Sequence, residues 1–229
     1  GGAIDGTTVG ASSASTGAFT TLSASSNVSF DGGTIKLDGD YPTGTQNVAL
    51  GNTALDSLTS GNYNTAIGSA ALTANNGNSN VAVGAFAGDS ISGSANTIIG
   101  TQAMQDATSG DDNVAVGFDA LGSSTTASDN VAVGRDALNS NTTGANNVAI
   151  GYQALDANTT ASNNTAMGFD ALGANTTSEY NAALGYDALK TQTTGVRNTG
   201  VGAFALSLNT TGGRNTALGY AALYSYNVT

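Results

Sequence analysis

From Asn47 onward the chain runs through one short alternation again and again: a polar residue, a β-branched one, a small one, an aliphatic one, then glycine. Asn147-Val148-Ala149-Ile150-Gly151 is typical, and Tyr152-Gln153-Ala154-Leu155 completes its ordered part. Side chains two apart share one face of a strand, so this segment predicts a short strand, and the glycine permits a sharp bend after it. Eleven copies begin at Asn47, Asn64, Asn80, Asn96, Asn113, Asn130, Asn147, Asn164, Asn181, Asn198 and Asn215, at steps of 16 or 17 residues. The first, fifth and eighth positions are Asn, Gly and Ala in all eleven. The Ala-Leu pair that follows is expected to form a second short strand, with a single helical turn as the alternative. Asn-Thr-Thr-Gly after it carries turn chemistry.

So short a period excludes helix-pair arrays, which need more than about 30 residues per repeat. The fold class expected is all-β: a parallel β-solenoid of eleven coils over residues 47–229, each copy one turn. Equivalent positions then stack about 4.8 Å apart, and sequence columns become ladders. The first column (Asn64, Asn80, Asn113, Asn130, Asn147 and Asn164 among its members) is expected to form an amide ladder, as in stacked β assemblies. The bend column contains Gly68, Gly84, Gly117, Gly134, Gly151 and Gly168. The second and fourth columns make an apolar stripe along the array, while the third holds Ala in nine copies, with Ile98 and Gly200 as exceptions. Two apolar faces on one thin coil exceed what a monomer hides, so side-by-side association is expected, with three chains the preferred count. The rod would be about 50 Å long.

Composition narrows the chemistry. Among 229 residues there is no His, Cys or Trp, which excludes a Ser-His-Asp triad, a Cys nucleophile, a His/Cys zinc site and disulfides. Five basic residues against sixteen acidic ones give a formal charge of −11, which argues against nucleic-acid binding. At 39% hydrophobic and regularly patterned, the chain is expected to be ordered. No apolar run approaches the roughly 20 residues of a membrane helix, so no membrane insertion is expected.

Two columns beside the bend are candidate sites. The sixth position carries Phe118, Arg135, Tyr152, Phe169 and Tyr186, with Tyr220 later. Aromatic rings beside acids and amides suit a sugar surface, and equally suit packing between chains. The seventh carries Asp119, Asp136, Gln153, Asp170 and Asp187. Stacked carboxylates about 5 Å apart resemble a retaining glycosidase pair in spacing only, since a ladder gives both acids the same surroundings. A solvated stripe is the plainer reading, with a bridging Ca²⁺ behind it. No cofactor, no metal and no catalytic residue is assigned. The Asn-Thr-Thr-Gly segments at 141 to 144 and 209 to 212 read as polar loops on one edge, where host contact is conceivable.

Asn64-Thr65-Ala66-Ile67-Gly68, Asn80-Val81-Ala82-Val83-Gly84 and their counterparts resemble the head repeats of trimeric autotransporter adhesins of the YadA type, and their longer relatives in bacteriophage tail fibres. The likeness covers residues 47 to 226, although this unit is two or three residues longer than the adhesin-head repeat. It implies a left-handed parallel β-roll, trimeric and extracellular.

Residues 1–46 do not repeat and are expected to be a linker or capping segment. Gly2-Ala3-Ile4-Asp5-Gly6-Thr7-Thr8-Val9-Gly10 and Ser15 to Leu22 resemble a segment common in phage tail-fibre and neck proteins, which tilts the reading toward a virion. A hairpin is expected between Asn27 and Gly44, around Asp31-Gly32-Gly33. Nothing matches the self-cleaving trimerisation chaperone that follows such repeats in some phage fibres.

The function expected is therefore a non-enzymatic phage fibre segment, a stiff homotrimeric rod for host attachment in the virion, outside the cell. Its partners would be further copies of itself, other fibre or baseplate proteins and a host surface glycan. A bacterial surface adhesin head is the second reading and a polysaccharide depolymerase the third.

Overall fold

A computed structural model of the chain describes residues 46 to 225. The N-terminal segment, with the hairpin expected in it, and the last four residues lie outside the described range. Each copy of the unit supplies one strand of three residues: β1 Val48–Leu50, β2 Thr65–Ile67, β3 Val81–Val83, β4 Thr97–Ile99, β5 Val114–Val116, β6 Val131–Val133, β7 Val148–Ile150, β8 Thr165–Met167, β9 Ala182–Leu184, β10 Thr199–Val201 and β11 Thr216–Leu218. They form one parallel sheet in sequence order, β1 through β11. The register is column on column: Val131 opposite Val148, Ala132 opposite Ala149, Val133 opposite Ile150. The all-β parallel solenoid predicted from the repeat is the observed fold, and among the described residues there is no helix.

Strands of three residues are too short to hold a sheet alone, so the coils are bonded all the way round. The second-position N–H donates to the first-position carbonyl of the next coil, as in Val148 to Asn164 O at 2.9 Å, and the bend glycine donates back, as in Gly168 to Ile150 O at 2.8 Å. Within the glycine column φ lies between +118° and +143°. A Cβ at Gly151 would also collide with the carbonyl oxygen of Gly168. Backbone angle and close approach of the next coil each demand glycine there.

The Ala-Leu pair departs from expectation: it forms neither a second strand nor a helical turn. It sits in linked turns closed by bonds to the residue three back, Ala154 N–H to Gly151 O at 3.4 Å and Asn158 N–H to Leu155 O at 3.1 Å. The residues on either side of the Ala are left-handed in φ, Gln153 at 54° and Leu155 at 53°. For a non-glycine residue that conformation costs about 1 kcal/mol. Burial offsets it, because the ninth-position leucines Leu55, Leu72, Leu121, Leu138, Leu155, Leu172, Leu189 and Leu206 are wholly buried. Their peptide groups still reach across coils, as Leu155 N–H does to Ala171 O at 3.0 Å.

The core is thus a leucine file facing two alanine files, the third-position and eighth-position columns. Its one large irregularity compensates itself. Where Ile98 replaces the third-position alanine, Gly88 replaces the leucine of the preceding coil, and a Cβ on Gly88 would stand 2.7 Å from Ile98 Cδ1. Volume has moved from one file to the other while the sum is kept.

Candidate functional site

The first-position asparagines are structural, and their side chains do two jobs. Each Oδ1 accepts the backbone N–H of the next asparagine, as Asn147 Oδ1 does from Asn164 at 3.0 Å. From Asn47 to Asn198 each Nδ2 closes its own coil onto a carbonyl near that coil's end, as Asn147 does onto Ala161 O at 2.8 Å. Asn64, Asn80, Asn113, Asn130 and Asn164 repeat the pattern and are buried. No other side chain of this length supplies acceptor and donor in that geometry, which explains why the position never varies.

A second amide column was hidden in the Asn-Thr-Thr-Gly segments. Asn141, Asn158, Asn175, Gln192 and Asn209 are wholly buried, so those segments are not loops standing out on an edge. Asn158 Nδ2 donates to Asn141 Oδ1 at 2.8 Å and Asn209 Nδ2 to Gln192 Oε1 at 2.7 Å. Each also donates to the carbonyl that the first column already serves, Asn158 to Ala161 O at 3.0 Å. Of the tip residues only the second Thr, Thr143 or Thr211, is fully exposed.

The aromatic column points outward. Tyr152 and Phe169 stack with centroids 5.2 Å apart and planes 14° from parallel; Phe169 and Tyr186 are at 5.0 Å and 11°. The row continues edge-on through Phe204 to Tyr220 at 5.3 and 5.9 Å. At the other end the Arg135 guanidinium lies 5.3 Å from the Phe118 centroid. Phe118, Tyr152, Phe169, Tyr186 and Tyr220 are all exposed. In the stacked stretch the rings turn their faces to one another, so edges and hydroxyls are what meet the solvent. An open recess of about 300 Å³ lies against Phe204, Tyr220, Ala221 and Tyr224, where the row ends.

The neighbouring carboxylates are half-buried rather than freely solvated, and Asp187 is buried. Basic residues brace three of them: Lys190 Nζ is 2.8 Å from Asp170 and 3.3 Å from Asp187, and Arg135 Nε is 3.3 Å from Asp136. Burial, then repulsion from Asp136 and Asp106, raises the Asp119 carboxyl above the ordinary range, with an Asn139 hydrogen bond opposing. Burial, then repulsion from Asp170, raises Asp156. The hydrogen bond to Asp170 raises Lys190. Among the described residues no three acidic side chains converge as metal ligands would.

No family model, curated protein or solved structure matches the chain.

The third surface is the strand wall facing outward. Leu50, Ile67, Val81, Ile99, Met167, Leu184 and Leu218 are exposed, as is Thr216, and the other members of the second and fourth columns are half-buried. The fourth column forms one file of apolar side chains from the first coil to the last, beside a second column of Val and Ala interrupted by Thr65, Thr97, Thr165, Thr199 and Thr216. Among the described residues no helix is long and apolar enough to cross a membrane.

Proposed function

We propose that this chain is a structural fibre segment, three copies of which lie side by side as a stiff rod for attachment to a host surface. The carrying observation is the outward apolar file on the strand wall, with Ile67, Ile99 and Met167 about two-fifths exposed along it. A contiguous apolar surface that spans every coil is more than a monomer ordinarily leaves to water, and association along the axis covers it. The bonding of each coil to the next supplies stiffness, and copy number sets reach.

The likeness of the Asn-x-Ala-aliphatic-Gly core to phage fibre and adhesin-head repeats supports a surface role outside the cell, with other virion fibre or baseplate proteins as neighbours. The N-terminal likeness favours the virion over the bacterial surface. No catalytic step is assigned: Asp136, Asp170 and Asp187 of the seventh column are tied to Arg135 and Lys190.

Sedimentation tests the assembly. Three chains of 22.3 kDa give about 67 kDa, and a 22 kDa species at micromolar concentration would end the proposal. Ile67→Asp with Met167→Asp should dissociate the rod while leaving the coil folded by circular dichroism.

A further inference from the structure

Among the described basic residues, Arg135 and Lys190 stand against acids of their own surface. Arg197 and Arg214 do not: neither forms an ion pair among the described residues. Both are exposed, and both occupy the position just before the first-column asparagine, one coil apart. Their backbones are alike, each with φ 61°. Each is tied to the coil before, Arg197 N–H to Glu179 O at 3.3 Å and Arg214 N–H to Val196 O at 2.9 Å. The strands that follow are in register, Thr199 opposite Thr216, so the two Cα atoms sit about 4.8 Å apart. One coil earlier in the same column stands Tyr180, whose ring centroid is 5.4 Å from the Arg197 guanidinium. Glu179, whose backbone carbonyl accepts from Arg197, forms no ion pair with either among the described residues.

In a chain of net charge −11, two arginines on successive coils, neither paired with an acid among the described residues, are an exception. Held one coil apart, they repel each other unless an anion comes between, and a guanidinium is the side chain best shaped to fork a carboxylate, sulfate or phosphate. The geometry points to an anion-recognition site for an acidic polysaccharide at the Tyr180, Arg197 and Arg214 edge. Tyr180 orients Arg197, the two arginines grip the anionic group of a sugar, and the polymer runs along the coils. Elsewhere the acidic surface holds a polyanion off. On this same edge Asp112 and Asp129 lie nearer the middle of the array, so contact is confined to the last coils. This assignment names a ligand class for the attachment reading and takes its biological meaning from it.

The test uses the full chain with three labelled probes, oligogalacturonate, a sulfated dextran oligosaccharide and neutral dextran, read by fluorescence anisotropy at 25 and 200 mM NaCl. One or both acidic probes should bind, the better one identifying the anion, while neutral dextran does not. Raising the salt should weaken binding at least tenfold. The double variant R197Q/R214Q should lose at least tenfold in affinity and Tyr180→Leu about threefold, with the sedimentation coefficient of the array unchanged. Unaltered binding by R197Q/R214Q, equal binding of neutral dextran, or equally tight binding of a single-stranded oligonucleotide would overturn the assignment. So would silence from both acidic probes. Salt-sensitive self-association lost in both R197Q/R214Q and D112N/D129N would give the arginines to an antiparallel second copy instead, Arg214 against Asp112 and Arg197 against Asp129. Rod mass measured on the same samples separates failure here from failure of the fibre reading.

Discussion

The first four coils and the seven after them share one backbone and fill it differently. In the early coils the twelfth position is Leu58, Asn75, Ile91 and Ala107, and the sixth is Asn52, Ser69, Ala85 and Thr101. From Ser124 onward the twelfth is an amide in every later described copy, and the sixth is aromatic or Arg in all but one, Ala203. Apolar and amide residues alike are buried at the twelfth position, because the carbonyl the second amide column serves already has a donor. In the coil of Asn147, Ala161 O accepts from Asn147 and Asn158 alike. In the coil of Asn96, where Ala107 stands at the twelfth position, Gly110 O is served by Asn96 alone at 2.9 Å. A redundant hydrogen bond leaves a position free to drift, whereas an obligatory one fixes it.

The comparison breaks first at the bend. Gly151→Ala should cost about 4 kcal/mol or more in urea unfolding, since angle and neighbouring carbonyl both refuse a Cβ. Gly219→Ala meets nothing within 4 Å and should cost only the strain of its φ, about 1 to 2 kcal/mol. Equal losses at both sites would refute the close-approach account.

The compensating core pair, Ile98 in the alanine file and Gly88 in the leucine file, comes next. Ile98→Ala should cost about 2 to 4 kcal/mol by opening a cavity, and Gly88→Leu about 1 to 3 by overpacking. Together they restore the arrangement of the other coils, so the double variant should lose far less than the sum, read as a coupling energy in denaturant melts.

The amide columns are separated by Asn147→Leu and Asn158→Leu. The first strands the Asn164 N–H and removes the Ala161 carbonyl's main donor, and should cost about 3 kcal/mol; the second removes a donor from a carbonyl that keeps another but also takes the donor from Asn141 Oδ1, and should cost about 2. Ser124 marks the junction between the two fillings. Its buried hydroxyl has no partner, and Ser124→Asn should extend the ladder and stabilise by about 1 kcal/mol, seen as a higher melting temperature.

The smallest effect is electrostatic. The Asp156 carboxyl is raised in the folded state, so its ionisation works against folding as pH rises through that raised value. Asp156→Asn should therefore stabilise at pH 7 by about 0.5 kcal/mol and lose that advantage near pH 3, where the acid is protonated in both states.

Much of this was legible because the repeat prints its own register. Asn, Gly and Ala at fixed places gave the strand, the bend and the first ladder before any coordinates. The Ala-Leu turn was not legible, since leucine has no local preference for a left-handed backbone and adopts it here only because the interior takes up its side chain. The second ladder was obscured because asparagine is both a turn residue and a ladder residue. Leu58, Ile91 and Gln192 in the same column were the signal, as apolar or long side chains have no reason to recur at a solvent turn. For the aromatic column, the identity of the residues was plain, but whether the rings offer faces or edges depends on their mutual tilt, which spacing does not encode.

In the first column every carboxamide oxygen accepts from the asparagine that follows it in the chain, never from the one before, from Asn47 to Asn198. The dipoles of ten side chains therefore add with one sign instead of cancelling, and the two ends of the string are electrically unlike. A duplicated copy can join that string in only one orientation. Growth or shortening by gene duplication is thereby restricted to whole rungs laid head to tail.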